Sequence, residues 1–207
     1  MEKICPYCGI PDRVGEGSNP EEFVCGKCGR NFSKVAMEKA IAGYAKRAEK
    51  VEKPTLVFMV GIPGSGKSTY LKTREDAVIV CPDQIRKELS GSINTNQESG
   101  IEGKVWQLAR DRVNGALSEG KDVVLDATNT VSRNRKGFLK DVLHPCKLLA
   151  VLIECDPLVA ISRIIYDLTV LKKDRSCVPP DVVMRMHGNL ERDKHFLRSE
   201  GFRVIKR

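Results

Sequence analysis

Short apolar runs alternate with helix-forming segments along most of the chain. The runs lie at residues 55–61, 77–81, 122–126 and 147–155. The segments that follow them repeat apolar residues at helical spacing, and a last run at 202–207 predicts an edge strand. Strands that alternate with helices form a mostly parallel sheet covered by helices on both faces. The pattern therefore predicts an α/β fold for residues 54–207.

The first 53 residues lack this alternation. Residues 1–33 are rich in Cys, Gly and turn-forming residues and show almost no helical periodicity. Residues 34–53 are mostly good helix formers with apolar side chains at roughly helical spacing, which predicts a connecting helix that ends at Pro54. We therefore expect a small domain at 1–33, a linker helix at 34–53 and the α/β domain at 54–207.

Four cysteines in the small domain have the spacing of a metal site. Cys5, Cys8, Cys25 and Cys28 form the pattern C-x2-C-x16-C-x2-C, which is typical of a zinc ribbon. Four thiolates complete a tetrahedral shell, so the predicted Zn²⁺ is structural rather than catalytic. Iron bound as in rubredoxin shares this spacing and is the alternative.

The function of the ribbon stays open between two roles. Lys27, Arg30 and Phe32 could hold nucleic acid through charge and stacking. The ribbon could instead pack on the α/β domain or join two copies of the chain, which would make the protein a homo-oligomer.

The composition indicates which binding partners and which cellular compartment to expect. The 207 residues carry 35 Lys and Arg against 27 Asp and Glu, and the net charge of +8 favours polyanions such as nucleic acid. No apolar run reaches the roughly 20 residues of a membrane span, and the first residues lack the apolar segment of a secretory signal. We expect a cytoplasmic protein with no membrane partner, in which the cysteines outside the ribbon are reduced.

A glycine-rich loop follows the first strand of the α/β domain. Residues 61–68, GIPGSGKS, match G-x-x-x-x-G-K-[ST] between a predicted strand and a predicted helix. Glycines let the backbone turn its N–H groups toward phosphate oxygens, and the start of the helix adds its positive end. Lys67 can reach the β- and γ-phosphates, and the Ser68 hydroxyl can ligate Mg²⁺. We predict a site for ATP and Mg²⁺ formed by Gly61, Ile62, Pro63, Gly64, Ser65, Gly66, Lys67, Ser68 and Thr69.

Charged residues follow the second and third strands of the predicted sheet. Asp83 and Arg86 come after the second strand and lie one helical turn apart, and Asp126 ends the third strand. Ligands of such sheets bind beyond the carboxyl ends of the strands, so these side chains should face the triphosphate. A carboxylate there can accept the proton of a hydroxyl, and a guanidinium can hold a phosphate. The 5′ end of a nucleic acid strand carries both groups.

Several motifs together resemble those of the bacteriophage polynucleotide 5′-hydroxyl kinases. They are GIPGSGKSTYL, CPDQIRKEL, VVLDATNT with Arg133 and Arg135 behind it, and CVPPDVVMRM, and they cover residues 55–191. The resemblance implies a P-loop kinase that transfers the γ-phosphate of ATP to the 5′-hydroxyl of DNA or RNA. It implies that Lys67 and Ser68 hold the donor, that Asp83 activates the hydroxyl and that Arg86 contacts the phosphate on its 3′ side.

The remaining site residues are less sharply defined by the resemblance. The family's lid arginine precedes Val-Pro, and here Lys173 has the nearer spacing whereas Arg175 has the better chemistry, with Arg163 as a further candidate. Thr128 and Asn129 match the family's Thr-Asn on the acceptor side.

Two features of this region depart from the family or stay ambiguous. Ala127 separates Asp126 from Thr-Asn, so Asp126 either binds the acceptor, acts as a Walker-B-type acid beside Mg²⁺, or caps the turn after its strand. Arg133 and Arg135 are expected to face solvent, where they could also follow a nucleic acid backbone.

Two rival functions stay open. A kinase of a small phosphorylated metabolite or nucleoside would share this layout. A zinc-dependent nucleic-acid-binding protein could use the P-loop only as an ATP-responsive switch. The chain contains no D-x-D-x-T motif of a 3′-phosphatase domain, so that second activity is not expected.

Overall fold

The computed structural model describes residues 6, 14–16, 22–26, 29–50, 53–72, 76–93 and 100–207, with the side chains of 14–16 and 43–50 excepted. Its contacts divide the chain into two compact units, Met1–Glu52 and Lys53–Arg207. In the described part of the chain, no helix is both long enough and apolar enough to cross a membrane.

The first unit contains a three-stranded antiparallel sheet and one helix. The strands are β1 (Val14–Glu16), β2 (Glu22–Cys25) and β3 (Asn31–Ser33), with β2 in the centre, and α1 (Lys34–Lys50) follows β3 directly. The rings of Phe23 and Phe32 stack at 6.1 Å between centroids, and Met37 from the first turn of α1 packs on them with Cys25. The predicted helix is therefore present, and its start belongs to the core of this unit.

The predicted zinc site falls largely outside the described residues. Cys5, Cys8 and Cys28 are not among them, whereas Cys25 is buried at the end of β2. The Gly29 N–H donates to the Cys25 carbonyl at 2.8 Å. Among the described residues, no three His, Cys, Asp or Glu side chains lie together so that they could hold a metal ion. The zinc ribbon and its Zn²⁺ stay a prediction.

The second unit is built on a parallel five-stranded sheet in the order β5-β6-β4-β7-β8. The strands are β4 (Thr55–Val60), β5 (Val78–Val80), β6 (Val123–Leu125), β7 (Lys147–Leu152) and β8 (Arg203–Lys206). The last of them pairs with β7 at one edge, as the final apolar run predicts. The predicted α/β fold with a parallel sheet is confirmed.

Helices cover both faces of this sheet. They are α2 (Lys67–Leu71), α3 (Pro82–Ser90), α4 (Ile101–Ser118), α5 (Ser132–Lys140), α6 (Pro157–Thr169) and α7 (Pro180–Asp193), with a 3-10 turn at Lys194–Phe196. Alternate residues of β4 point to opposite sides, as the period of a strand requires. Phe58 packs in the larger core with α4 and α5, whereas Val57 and Met59 pack in the smaller core with Leu71.

Arg135 is a buried anchor of this unit, so the prediction that it faces solvent is wrong. Its side chain forms a two-pronged ion pair with Glu200, with Nε to Oε2 at 2.7 Å and Nη2 to Oε1 at 2.9 Å. Its Nη1 also donates to the carbonyl of Asn129 at 2.8 Å and its Nη2 to that of Asp193 at 2.9 Å. Arg135 shares the inner face of α5 with Phe138, three residues on, whereas Arg133 is exposed as expected.

Candidate functional site

The glycine-rich loop connects β4 to α2 at the carboxyl end of the sheet. Gly64 and Gly66 adopt left-handed φ angles of 79° and 103°, which favour glycine. A Cβ on Gly64 would lie 2.4 Å from the carbonyl oxygen of Ala160 on α6, so close packing also requires glycine there. The Gly61 N–H donates to the Thr128 carbonyl at 3.0 Å and ties the loop to the segment after β6. The local sequence therefore forms the open cradle that a triphosphate needs.

Lys67 lies at the centre of this cradle and bends back over its own loop. Its Nζ donates to the carbonyls of Gly61 at 3.0 Å and Ile62 at 2.8 Å. Burial lowers the pKa of Lys67 to about 8, although Asp126 raises it and Arg175 lowers it further. The ammonium is held at the place where phosphate oxygens would replace two carbonyls as its partners.

ATP affinity is expected to fall as pH rises through 8, because the unliganded protein then carries a neutral Lys67. Bound phosphates favour the charged ammonium, so binding above this pH takes up a proton, and Kd should rise by up to about tenfold per pH unit. Calorimetric titration with Mg-ATP in two buffers of different ionisation enthalpy measures that uptake directly. Lys67→Met should abolish the uptake, and an unmodified protein that binds ATP at pH 8.5 without proton uptake would contradict this account.

The segment after β5 places the first of the predicted acceptor groups. Cys81 is extended and Pro82 opens α3, which leaves Asp83 in the first turn and Arg86 one turn later. The Arg86 Nη1 donates to the Asp83 Oδ1 at 2.5 Å. Both side chains are partly buried, so the predicted pair is present as a contact and not only as a spacing.

Glu102 completes this cluster, although the sequence analysis did not single it out. It lies in the first turn of α4. Its carboxylate accepts two hydrogen bonds from the Arg86 guanidinium, from Nε to Oε1 at 2.6 Å and from Nη2 to Oε2 at 3.2 Å. Hydrogen bonds from Arg86 to Glu102, more than those to Asp83, raise the pKa of the guanidinium. The only available signal was that an acid opens a helix-forming segment, which is common at helix starts.

Some of the residues after β6 line the cavity, and another contacts the sheet. Asp126 and Thr128 line the cavity, and burial raises the pKa of Asp126 while Lys67 opposes this shift. The Asn129 amide instead donates to the carbonyl of Met59 on β4 at 2.8 Å. Asn129 has a left-handed φ of 47°, which asparagine tolerates better than most residues. Its predicted contact with an acceptor remains untested, whereas its contact with the sheet is visible.

Ion pairs hold the segment between α6 and α7, which the resemblance predicts to be a lid. Lys173 Nζ and Arg175 Nη1 both contact Asp167 on α6, at 2.8 Å and 2.5 Å. Lys87 on α3 contacts Asp174 at 2.5 Å. The two predicted lid cations are thus held at the cavity together by one carboxylate, which the sequence analysis had not singled out.

Arg163 approaches the cavity from α6. Its Nη1 donates to the Gly64 carbonyl at 3.4 Å, so the third candidate cation lies against the glycine-rich loop itself. Lys173 and Arg175 follow α6 in the sequence, and both contact Asp167, which lies one helical turn after Arg163.

One cavity of about 1810 Å³ brings the donor and acceptor groups together. This is larger than the ~300–1,000 Å³ of a typical small-molecule pocket. The predicted residues that line it are Pro63, Gly64, Gly66, Lys67, Ser68, Thr69, Asp83, Arg86, Asp126, Thr128, Arg163, Lys173 and Arg175. Gly61, Ile62 and Ser65 are buried in the loop that supports them.

The loop and its surroundings fit a triphosphate with its metal. Two glycines keep the cradle open, a lysine ammonium faces it, and the exposed Ser68 lies in the first turn of α2 beside it. A hydroxyl oxygen and the nearby carboxylate of Asp126 are the ligand types that Mg²⁺ prefers. A parallel sheet with this loop, an acid after the next strand and a cationic lid defines a P-loop domain of the kinase type.

The chain belongs to the AAA domain family, AAA_33, whose model matches residues 56–192. The fold is similar to that of a chain in the Pnkp1/Rnl/Hen1 RNA repair complex, with a TM-score of 0.62 and 20% identity over 70% of this chain and 46% of that one. It is also similar to a candidate kinase from Chloroflexus aurantiacus, with a TM-score of 0.54 and 14% identity over 72% of this chain and 98% of that one. At these identities the likeness concerns the fold.

A curated relative is similar in sequence over a shorter stretch. The Arabidopsis thaliana protein named Transcription factor bHLH140 is 30% identical over 111 residues, which are 54% of this chain and 11% of that protein. The chain thus spans about a tenth of this relative and about half of the RNA repair protein it resembles.

Proposed function

We propose that this protein is an ATP- and Mg²⁺-dependent polynucleotide 5′-hydroxyl kinase. The observation that carries the proposal is the Asp83–Arg86 pair, which faces the same cavity as the glycine-rich loop. A carboxylate and a guanidinium in contact match an acceptor that carries a hydroxyl next to a phosphodiester. The motifs shared with the phage kinases and the fold shared with an RNA repair protein support the same class of acceptor.

On the donor side, the loop would hold ATP through its backbone N–H groups and Lys67. The Lys67 ammonium would leave the carbonyls of Gly61 and Ile62 for the β- and γ-phosphates. Ser68 and Asp126 would hold Mg²⁺, which when bound neutralises charge on the β- and γ-phosphate oxygens. The raised pKa of Asp126 reflects its burial, and a cation placed beside it would favour the ionised carboxylate.

On the acceptor side, Asp83 would orient the 5′-hydroxyl and take its proton as the oxygen attacks the γ-phosphorus. The new O–P bond forms while the bond from the γ-phosphorus to the bridging oxygen breaks, and ADP leaves with the electron pair. Arg175, Lys173 and Arg163 would reduce the negative charge around the group in transit. Most of the acceleration in such a site comes from positioning and charge rather than from covalent chemistry.

Arg86 would hold the phosphate on the 3′ side of the acceptor nucleotide. In the structure, its Nε and Nη2 both donate hydrogen bonds to Glu102. The phosphate would therefore have to replace Glu102 or bind beside it. A two-pronged contact with a phosphate is specific to arginine, since lysine offers a point charge. Glu102 would thus set the orientation of the fork before the acceptor binds.

Arg86→Lys is expected to lower kcat/KM for a 5′-hydroxyl oligonucleotide by about 10- to 100-fold. This range corresponds to the roughly 1.5–3 kcal/mol of a hydrogen bond to a charged group. Transfer of labelled γ-phosphate from ATP to DNA and RNA oligonucleotides, and to a nucleoside with no phosphate, measures the effect. The nucleoside should be a poor acceptor for both proteins, with little difference between them.

Arg112→Lys is the matched control for this experiment. Arg112 on α4 pairs with Glu88 at the surface, so its replacement should leave all acceptors unaffected. A wild-type protein that phosphorylates neither oligonucleotide while still binding ATP would refute the proposed acceptor.

A kinase of a small hydroxyl-bearing metabolite is the second candidate. It is favoured by the fact that two carboxylates, Asp83 and Glu102, already compensate the charge of Arg86. A neutral acceptor would not need to displace either of them. In that case Arg86→Lys would weaken the contacts with Asp83 and Glu102 more than it would change the choice of acceptor. The oligonucleotide assay therefore distinguishes the two candidate functions.

A further inference from the structure

A serine of the lid contacts the carboxylate proposed as the base. The Ser176 hydroxyl donates to the Asp83 Oδ2 at 3.1 Å, whereas the other oxygen of Asp83 accepts from Arg86. Ser176 also lines the cavity that contains Lys67 and the glycine-rich loop. A primary hydroxyl of this chain therefore occupies a position on Asp83 that an incoming 5′-hydroxyl would have to take.

The two residues that precede Ser176 hold it in this position through ion pairs. Asp174 contacts Lys87 on α3 at 2.5 Å, and Arg175 contacts Asp167 on α6 at 2.5 Å. The two ion pairs fix the lid to a helix on each side of the cavity. The contact between Ser176 and Asp83 spans 93 positions of the sequence and is defined by this tertiary arrangement.

We propose that Ser176 is an internal phosphoryl acceptor, so that the protein phosphorylates itself when ATP is bound and no outside hydroxyl has displaced the lid. This proposal rests on the proposed function, since it uses the same donor and the same base. The Ser176 Oγ attacks the γ-phosphorus, its proton passes to the Asp83 carboxylate, and the bond to the bridging oxygen breaks to release ADP. The product is phosphoserine at position 176, and no other reactant is required.

The modification would change the charge of the acceptor side. A phosphoserine carries about −1.5 to −2 charges at neutral pH, and here it would form next to Asp83. Repulsion from Asp83 and attraction to the neighbouring Lys87 and Arg175 would move residue 176 away from the base. Self-phosphorylation and phosphorylation of an outside acceptor therefore compete for one site.

The test is incubation of the full chain with Mg²⁺ and γ-labelled ATP, without an oligonucleotide, followed by peptide mass spectrometry. We expect a label that approaches one phosphate per chain, that maps to Ser176 and whose rate does not depend on protein concentration. Ser176→Ala should remove it, and Ser176→Thr should move it to the new hydroxyl. Ser118→Ala, at an exposed serine of α4, is the control that should retain full labelling. Excess 5′-hydroxyl oligonucleotide should lower the label at least tenfold.

The failure of this inference can be told from the failure of the proposed function. A wild-type protein that phosphorylates oligonucleotides but shows no label on Ser176 would overturn the inference alone. Label that maps to other residues, or a rate that rises with protein concentration, would also overturn it. A protein that labels neither Ser176 nor an oligonucleotide, although it binds ATP, would overturn both.

Discussion

Asp83→Asn is expected to lower phosphoryl transfer to a 5′-hydroxyl oligonucleotide by roughly 10²–10⁴-fold, the range for loss of a positioned general base. The amide nearly matches the carboxylate in shape, and its oxygen can still accept the hydrogen bond that Arg86 now donates to Asp83. It cannot take the proton of the attacking hydroxyl. ATP affinity should change little, because Asp83 lies in the first turn of α3 and is not part of the glycine-rich loop that would hold the phosphates.

The measurement is kcat for labelled transfer, together with Kd for Mg-ATP from calorimetry. Asp111→Asn, at an exposed position of α4, changes the same chemical group outside the cavity and should leave both values unaltered. A variant at Asp83 that keeps wild-type kcat would show that another group accepts the proton. A wild-type protein that binds ATP but transfers phosphate to no acceptor would favour a nucleotide-responsive switch.

Arg135→Met is expected to destabilise the second unit by about 3–5 kcal/mol, the usual cost of removing one partner of a buried ion pair. The substitution leaves the Glu200 carboxylate buried without the guanidinium that now meets both of its oxygens. It also removes the donors to the carbonyls of Asn129 and Asp193. Since Asn129 follows the segment that carries Asp126, ATP binding should weaken in parallel with stability.

Urea unfolding followed by the fluorescence of Trp106 measures this change directly. Trp106 is the single tryptophan, and its ring packs edge-on against Phe138, which is on the same helix as Arg135. Arg133→Met, two positions away on the exposed side, should shift the midpoint very little. Adding Glu200→Leu to Arg135→Met should restore most of the stability, because an apolar pair avoids the cost of a lone buried charge. A loss below about 1 kcal/mol for the single variant would contradict the assigned role.

The fold could be predicted from the sequence because its signals are local. Each strand of the second unit except the last is an apolar run followed by a helix-forming segment, and the glycine-rich loop lies at the junction between β4 and α2. The order of the strands was less accessible, since β4 has neighbours that come about 70 and 90 residues later. Such pairings depend on how the apolar faces of distant segments pack together. The residues of a single strand do not determine which other strand it will pair with.

For the site as well, contacts between residues close in the sequence could be predicted, whereas contacts between distant residues could not. Asp83 and Arg86 were predicted as a pair because they lie three residues apart on one helix. Glu102, Asp167 and Ser176 were not predicted, because their roles come from contacts across 16, 8 and 93 positions. Arg135 was misjudged because arginine is rarely buried, and only the distant Glu200 compensates its charge.

The central position of β4 has a consequence for the order in which the polypeptide acquires structure on the ribosome. β4 pairs with β6 and β7, and both emerge after it. At ~5–20 residues per second, about 90 further residues take roughly 5–20 seconds to synthesise. During this interval the nascent strand that carries the glycine-rich loop lacks at least one of its two neighbours, because β6 is synthesised before β7. The ability to bind nucleotide therefore arises late in synthesis, well after the loop itself has been translated.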